Sequence, residues 1–320
     1  MKKAPKMTMN NFENLYDSVR GQYSGFQKKI DIQSPISAYY GISPDGYLRL
    51  AFRSSVAAPK MESTKLLRVE QGKESNKVYW CCFDLLSNDA KSAFYAFCEN
   101  LVEAIVAPSS SNEYDVLLKL RKRYISWKAL FKKTPAKNAS FEVIQGLFGE
   151  LYFMWSYMIP KYGSVESVRA WGGSAYTSKD FAIGNDWFEV KTIGVNTACV
   201  SISSLGQLTA DTPGRLVVIR AEHMPDEFSN GESSIPELLS KILSTIDDET
   251  IEGILLSQVA AIGVDITNPI TATKFDCRSL EKYIVADGFP RITIETVPFP
   301  EITNVRYDIS VAAIARFLEE

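Results

Sequence analysis

The stretch from Lys179 to Thr192 constrains the fold of this 320-residue chain more than any other segment, because it predicts a tight β-hairpin. Two short runs of strand-forming residues flank Gly184-Asn185, a favoured two-residue turn with glycine at its first position. Asp180 lies four positions before this turn and Glu189 four positions after it, so the two carboxylates face each other. Directly opposed side chains have Cβ atoms roughly 4.5–5.5 Å apart.

Two carboxylates at that separation repel each other and destabilise a sheet. A bound cation would reverse the sign, since Mg²⁺ prefers oxygen ligands and is often held by one or two carboxylates. Lys191 lies two residues beyond Glu189 and leaves the same face of the strand. Its ammonium is placed to reach a phosphate, a bound water or an attacking hydroxide. The hairpin therefore predicts a metal site and a neighbouring cation suited to phosphodiester chemistry.

The pattern Asp-x8-Glu-x-Lys on a hairpin resembles the PD-(D/E)XK nuclease superfamily, which has the restriction-endonuclease-like fold. Lys179 stands where the superfamily name has proline. Upstream, a helix with the sequence GLFGEL carries Glu150, and downstream the segment SISSLGQL carries Gln207. Together, over about residues 140–220, these motifs resemble a bacterial family of PD-(D/E)XK members associated with restriction-like, phage-defence gene clusters.

The resemblance implies a role for each motif residue. Two carboxylates would bind Mg²⁺ or Mn²⁺ together with a backbone carbonyl, and the helix glutamate would complete the metal shell. The lysine would orient the nucleophile or offset charge on the phosphate, and the glutamine would hold the lysine or a water. The expected catalytic residues are Asp180, Glu189, Lys191, Glu150 and Gln207, and the expected metal ligands are Asp180, Glu189, Glu150 and the Val190 carbonyl.

Less specific interpretations exist for the same residues. The tripeptide Glu189-Val190-Lys191 alone is typical of an edge strand with its charges facing water, and Glu150 alone of a helix surface. The opposition of Asp180 to Glu189 favours the site. Asp186, beside the turn, is interpreted as a turn residue or a solvated charge. Glycines at positions 146 and 149 are expected to let the Glu150 helix approach the sheet closely.

A cluster of eight cations without an acid lies between Lys119 and Lys137, although the net charge of the chain is −3. Such a cluster can contact phosphates whatever the overall charge, and the alternative is a solvated helix face. The expected nucleic-acid-binding residues are Lys119, Arg121, Lys122, Arg123, Lys128, Lys132 and Lys133.

Composition narrows the cellular setting. No uncharged apolar run reaches about 18 residues, so the sequence indicates no transmembrane helix. No apolar run follows the basic N-terminus, so the sequence does not indicate a secretory signal. Five cysteines without CxxC spacing fit free thiols in a reducing cytoplasm. A single histidine, His223, leaves little for zinc sites or histidine-based triads. We expect a cytoplasmic protein without a membrane partner.

Strands separated by helical segments predict an α/β (α+β) fold. We expect a restriction-endonuclease-like core, a mixed central sheet flanked by helices, with an N-terminal β-rich module and a helical C-terminal region. The expected domains are 1–110 (DNA- or partner-binding), 111–230 (nuclease core) and 231–320 (an extension packed on the core). Strands are predicted at 47–53, 77–81, 168–171, 198–203, 215–220 and 289–294, and helices at 88–106, 112–131, 140–158, 235–243, 250–261 and 309–318.

The leading functional prediction is a Mg²⁺-dependent endonuclease that hydrolyses DNA in a bacterial restriction or anti-phage system, with RNA left open as a substrate. No phosphate-cradling P-loop occurs, so any ATPase must be a neighbouring defence protein. Many such nucleases dimerise, which makes a homodimer one expected state. The first alternative is a catalytically silent, nuclease-like scaffold that binds nucleic acid or recruits defence partners. The second is a metal-dependent hydrolase of a small phosphorylated substrate.

Overall fold

The computed structural model describes residues 9–75, 77–131, 139–172, 179–225, 233–299, 301–302 and 304–319. The chain forms two compact units. Unit 1 comprises Met1–Lys137, Leu239–Leu256 and Asp265–Ala272, and unit 2 comprises Asn138–Leu238, Ser257–Val264 and Thr273–Glu320. Within the described ranges, no helix has the length and apolar character needed to cross a membrane.

The helices and strands of the described ranges have the following bounds. The helices are α1 Met9–Asp17, α2 Lys91–Ala104, α3 Glu113–Lys128, α4 Phe141–Phe153, α5 Ile159–Tyr162, α6 Ser164–Ala170, α7 Ile235–Leu243 and α8 Glu249–Ala261. The strands are β1 Gln27–Lys29, β2 Ser37–Ile42, β3 Leu48–Ser54, β4 Leu67–Ser75, β5 Val78–Leu85, β6 Phe181–Ile183, β7 Asp186–Ile193, β8 Cys199–Ile202, β9 Gly214–Met224, β10 Lys274–Val285 and β11 Tyr307–Ser310. A π-helical turn, Met154–Met158, joins α4 to α5, and a 3₁₀ turn, Leu205–Leu208, follows β8.

Unit 1 contains an antiparallel five-stranded sheet in the order β1-β2-β3-β5-β4. Aromatic side chains pack α2 and α3 against this sheet. The ring of Phe83 on β5 contacts Phe97 on α2 and Tyr124 on α3. Trp127 on α3 packs edge-on against Phe97. This packing places α3 in unit 1, so the compact units differ from the expected bound at residue 110. The functional division into three domains stays a prediction.

Unit 2 contains a four-stranded sheet in the order β10-β9-β7-β6, and β8 pairs separately with β11. Strands β7 and β9 run parallel, while the other neighbours run antiparallel. The core on one side of this sheet includes Trp187, Leu216, Val218 and Tyr283, all buried. Two mixed α and β units, one with a mixed sheet, confirm the predicted α/β (α+β) class.

Most predicted elements are confirmed, but three are wrong. Residues 168–171 are not a strand, since α6 extends to Ala170. Residues 289–294 form no strand either, and the strand of this region is β10, which the sequence analysis missed. A bulge between Cys277 and Ser279 shifts the alternation of β10 and conceals its period. Residues 309–318 begin in β11 and continue as a 3₁₀ turn rather than as an α-helix.

Candidate active site

The hairpin of β6 and β7 has the register that the sequence predicts. Phe181 pairs with Phe188 and Ile183 with Asp186, which closes the chain at Gly184-Asn185. Gly184 has a φ of +57°, a left-handed conformation that side chains disfavour, so glycine is needed at this turn position. The glycine at the turn and the strand pairing therefore support the same register. This register brings Asp180, just before β6, towards Glu189 on β7.

Asp180 lies one residue before β6 and is held at both its backbone and its side chain. Its carbonyl accepts a hydrogen bond from the Gly172 N–H at 2.8 Å. Its carboxylate oxygen Oδ2 accepts from the Val190 N–H at 2.7 Å. Burial raises the pKa of Asp180, while Lys191 and the bond from Val190 oppose the shift. The structure thus gives Val190 a role as a donor that fixes Asp180 beside the strand carrying Glu189.

Glu189 is only 1% exposed, and its carboxylate is the most deeply buried charge of the hairpin. Lys191 Nζ lies 2.8 Å from Glu189 Oε1, an ion pair. Burial and then the charge of Asp180 raise the pKa of Glu189 to about 8, against the lowering effect of Lys191.

Glu150, which lies on α4, is the third carboxylate near Asp180 and Glu189. The indole Nε1 of Trp171 donates a hydrogen bond to Glu150 Oε2 at 2.7 Å. The Trp171 carbonyl in turn accepts from Gln258 Nε2 at 2.7 Å. Burial and the charge of Asp180 raise the pKa of Glu150 well above its usual value, while the Trp171 bond opposes the shift. Trp171 orients the glutamate, and nothing in the sequence pattern indicated this role.

The approach of α4 to the sheet depends on Gly149, the residue before Glu150. A Cβ at position 149 would overlap Thr192 Oγ1 on β7, so only glycine permits this spacing. No atom lies within 4 Å of the equivalent position at Gly146. The expectation of a close approach is therefore confirmed for Gly149 and wrong for Gly146.

Gln207 makes local contacts. Its Oε1 accepts from the Ser203 N–H at 2.8 Å and from Ser203 Oγ at 3.2 Å, which closes the turn after β8. Among the described residues, no hydrogen bond joins Gln207 to Lys191, so the expected support of the lysine is not a direct one. The side chain organises the loop, and its role in the site stays a prediction.

The donor chemistry of the site fits a hard cation. Asp180 and Glu189 raise the pKa of Glu150, and Asp180 raises the pKa of Glu189, so these carboxylates are costly to ionise together. In the described ranges, however, no three His, Cys, Asp or Glu side chains converge closely enough to form a ready-made metal site. Asp180 and Glu189, with Glu150 beside them, are the residues that would hold Mg²⁺ or Mn²⁺.

The basic cluster lies in unit 1, and its members differ in the contacts that they make with the rest of that unit. Arg123 Nη1 lies 2.6 Å from Glu252 Oε1 and donates to the Leu243 carbonyl at 2.6 Å. These contacts make Arg123 a structural residue and leave it poorly suited to a phosphate. Lys119 and Lys122 are exposed on α3.

Two further members of the basic cluster have partners within unit 1. Lys128 pairs with Glu62 at 2.8 Å, and Arg121 donates to the Lys60 carbonyl at 3.3 Å. Lys132 and Lys133 lie outside the described residues. Phosphate binding by this cluster stays a prediction.

A mixed sheet flanked by helices, with Asp180, Glu189 and Lys191 on one hairpin, defines the PD-(D/E)XK nuclease-like class of proteins. The chain matches the family described as "Putative PD-(D/E)XK family member, (DUF4420)" over residues 10–312, and it belongs to this family. No curated protein and no solved structure matches the chain.

Proposed function

We propose that the protein is a divalent-metal-dependent nuclease that hydrolyses phosphodiester bonds in DNA, with Mg²⁺ or Mn²⁺ as its cofactor. The observation that carries the proposal is the buried carboxylate of Glu189, which lies beside the carboxylate of Asp180 and 2.8 Å from the ammonium of Lys191. Burial and mutual repulsion make such a carboxylate costly to ionise, and a cation is the partner that offsets this cost.

A divalent cation bound here would supply a water of lowered pKa and would polarise the scissile phosphate. The protein's own residues perform the remaining tasks. The Val190 N–H holds Oδ2 of Asp180, and Oδ1 is the oxygen that would contact the cation. Lys191 places a positive charge beside Glu189, where it also opposes negative charge that develops on a phosphate in the transition state.

Glu150 is suited to bind the cation, or a water held by it, through its second carboxylate oxygen. Trp171 occupies Oε2 with a 2.7 Å hydrogen bond and thereby fixes the side chain. The pKa of Glu150 is raised by burial and by the charge of Asp180, and a cation bound at the site would offset that cost. Oε1 is therefore the atom that would contact a metal-bound water or the cation itself.

DNA is the proposed substrate because the motifs resemble those of restriction-like nucleases, and the exposed Lys119 on α3 offers a positive charge to a polyanion. The proposed setting, a restriction or anti-phage system with neighbouring proteins that include an ATPase, is supported by the resemblance of the motifs alone. Homodimer formation would allow both strands to be cut and belongs to the same proposal. RNA and small phosphorylated compounds are alternative substrates that a parallel panel distinguishes.

A plasmid-cleavage assay tests the proposal. Wild-type protein is incubated with supercoiled plasmid in Mg²⁺, in Mn²⁺ and in EDTA, with and without the products of neighbouring genes. We compare Asp180→Ala with the control Asp186→Ala, which removes an acid of the same hairpin that pairs with Arg215 outside the proposed metal site.

We expect metal-dependent cutting that Asp180→Ala abolishes and Asp186→Ala retains. Equal activity of wild type and Asp180→Ala would refute the site. A panel with RNA and mononucleotides, run in the same buffers, identifies the substrate, and hydrolysis confined to mononucleotides would refute the assignment to DNA.

The second candidate is a nuclease-like scaffold that binds nucleic acid or recruits partners without cutting. The observation that favours it is the lack, among the described residues, of three acids that converge in metal-binding geometry. DNA binding without cleavage in every metal and with every partner would select this function.

A further inference from the structure

Lys179, the residue before Asp180, has an unusual set of contacts. Its Nζ donates hydrogen bonds to three backbone carbonyls, those of Gly206 at 2.7 Å, Gln207 at 2.7 Å and Thr209 at 2.9 Å. A lysine ammonium has three N–H donors, and each of them can be used here. The same Nζ lies 4.0 Å from the ring centroid of Trp187, within the range of a cation–π contact.

These three carbonyls belong to the end of the 3₁₀ turn Leu205–Leu208, which follows β8. A second cation binds the same stretch, since Arg291 Nη1 donates to the Leu208 carbonyl at 2.8 Å. Trp187 Nε1 donates to the Thr212 carbonyl at 2.8 Å. The four carbonyls from 206 to 209 thus accept hydrogen bonds from two cations, Lys179 and Arg291. Trp187 links the same loop to β7.

Asp180 follows Lys179 directly, so the position of this lysine sets how the chain enters β6. The carboxylate of Asp180 must remain on the Val190 N–H to stay beside Glu189. The ammonium therefore joins the loop after β8 to the chain immediately before Asp180.

We propose that Lys179 is a positioning residue: by binding the carbonyls of the loop after β8, it fixes Asp180 against Val190 and beside Glu189. This inference rests on the proposed function, because it assigns the lysine to the same metal site. It also gives the loop that carries Gln207 an indirect role, since its backbone rather than its amide side chain supports the site.

The test compares Lys179→Met with Lys179→Arg and with a control, Arg220→Met. Methionine keeps the length of the side chain but has no charge and no donor. Arg220 Nη1 also binds two loop carbonyls of unit 2, Val195 and Thr197, both at 2.9 Å, so its loss removes similar bonds from a different loop. Mn²⁺ binding by titration calorimetry, hydrogen exchange by mass spectrometry and cleavage kinetics are measured for each.

We expect Lys179→Met to bind Mn²⁺ about 10- to 100-fold more weakly and to lose kcat by a similar factor, the usual effect of removing support for a metal ligand. KM for DNA should be unchanged. Backbone amides of 180–183 and 203–209 should exchange faster, Lys179→Arg should restore part of the loss, and Arg220→Met should keep wild-type Mn²⁺ affinity and kcat.

Wild-type Mn²⁺ affinity and kcat in folded Lys179→Met would overturn the inference, and so would equal losses in Arg220→Met. If wild-type protein neither binds Mn²⁺ nor cuts DNA, the proposed function fails instead. Hydrogen exchange then still decides the positioning role: faster exchange at 180–183 in Lys179→Met supports it, and unchanged exchange contradicts it.

Discussion

Replacing Glu189 by glutamine should stabilise the protein, and the gain should grow with pH. The pKa of Glu189 rises from an ordinary 4.5 to about 8 in the folded chain, chiefly because its carboxylate is buried. Between these values the folded protein keeps a proton that the unfolded chain releases. Rising pH therefore favours unfolding: the stability present below pH 4.5 is lost as pH approaches 8. Glutamine has no proton to lose.

The size of the effect follows from the pKa difference. A gap of about 3.5 units corresponds to an upper limit of about 5 kcal/mol at pH 8 and above, at 1.36 kcal/mol per unit. Because Glu189 is only 1% exposed, solvent screening reduces this free-energy effect little. The raised pKa values of Asp180 and Glu150 act in the same direction. An effect of this size is a large fraction of the stability of an ordinary domain.

Urea denaturation followed by circular dichroism at several pH values between 5 and 8.5 measures the effect. The stability of Glu189→Gln minus that of wild type should be small at pH 5 and reach several kcal/mol at pH 8. A difference that stays constant or shrinks as pH rises would refute the reasoning, since no buried carboxylate of raised pKa would then be present.

The same measurement links the buried charge to a metal. At pH 8 a divalent cation should raise the stability of wild type, by about 2.7 kcal/mol when free metal is about 100 times its Kd. Glu189→Gln should gain much less, because it lacks one of the proposed carboxylate ligands. Removal of the cation with EDTA should return wild type to its lower stability.

Three further predictions concern the surroundings of the site and unit 1. Gly149→Ala should cost about 1–3 kcal/mol, because the added methyl overlaps a threonine on β7; Gly146→Ala, in open space on the same helix, should be neutral or stabilising by up to about 1 kcal/mol in thermal unfolding, and equal effects would contradict the packing. Trp171→Phe removes the donor to Glu150 and should slow cleavage about 10- to 100-fold with wild-type DNA binding, so an unchanged rate would count against that contact. Arg123→Ala should cost about 3–5 kcal/mol in urea unfolding, because it removes the cation that is paired with the buried carboxylate of Glu252, and a neutral result would return this arginine to the phosphate-binding candidates.

The hairpin could be predicted from the sequence because its information is local. A two-residue turn with glycine first determines the register, and the register determines that Asp180 approaches the strand of Glu189. The close approach of α4 was also predicted, since a helical glycine beside a proposed site residue indicates contact with another backbone element. For Gly146 the same reasoning was wrong, because its face of the helix meets no neighbour.

The residues that support the site could not be found in this way. Trp171 contacts Glu150 across 21 positions, and Lys179 contacts the carbonyls of 206, 207 and 209 from 27 to 30 positions away. These contacts arise only when the chain folds in three dimensions, and neither residue type has a spacing that indicates them. Strand β10 was missed for a related reason, since a bulge and its charged residues conceal the two-residue period that pairing with β9 produces.

The central claim is that the hairpin of Asp180, Glu189 and Lys191 cuts DNA with the help of a metal. Its most direct test is cleavage and binding of the same DNA by wild type and Lys191→Ala in Mg²⁺, with EDTA as the metal-free control. We predict that the variant binds DNA and Mn²⁺ but cleaves about 100-fold more slowly or worse, as when a charge-stabilising donor is removed. Cleavage by Lys191→Ala at the wild-type rate, or wild-type cleavage that persists in EDTA, would contradict the claim.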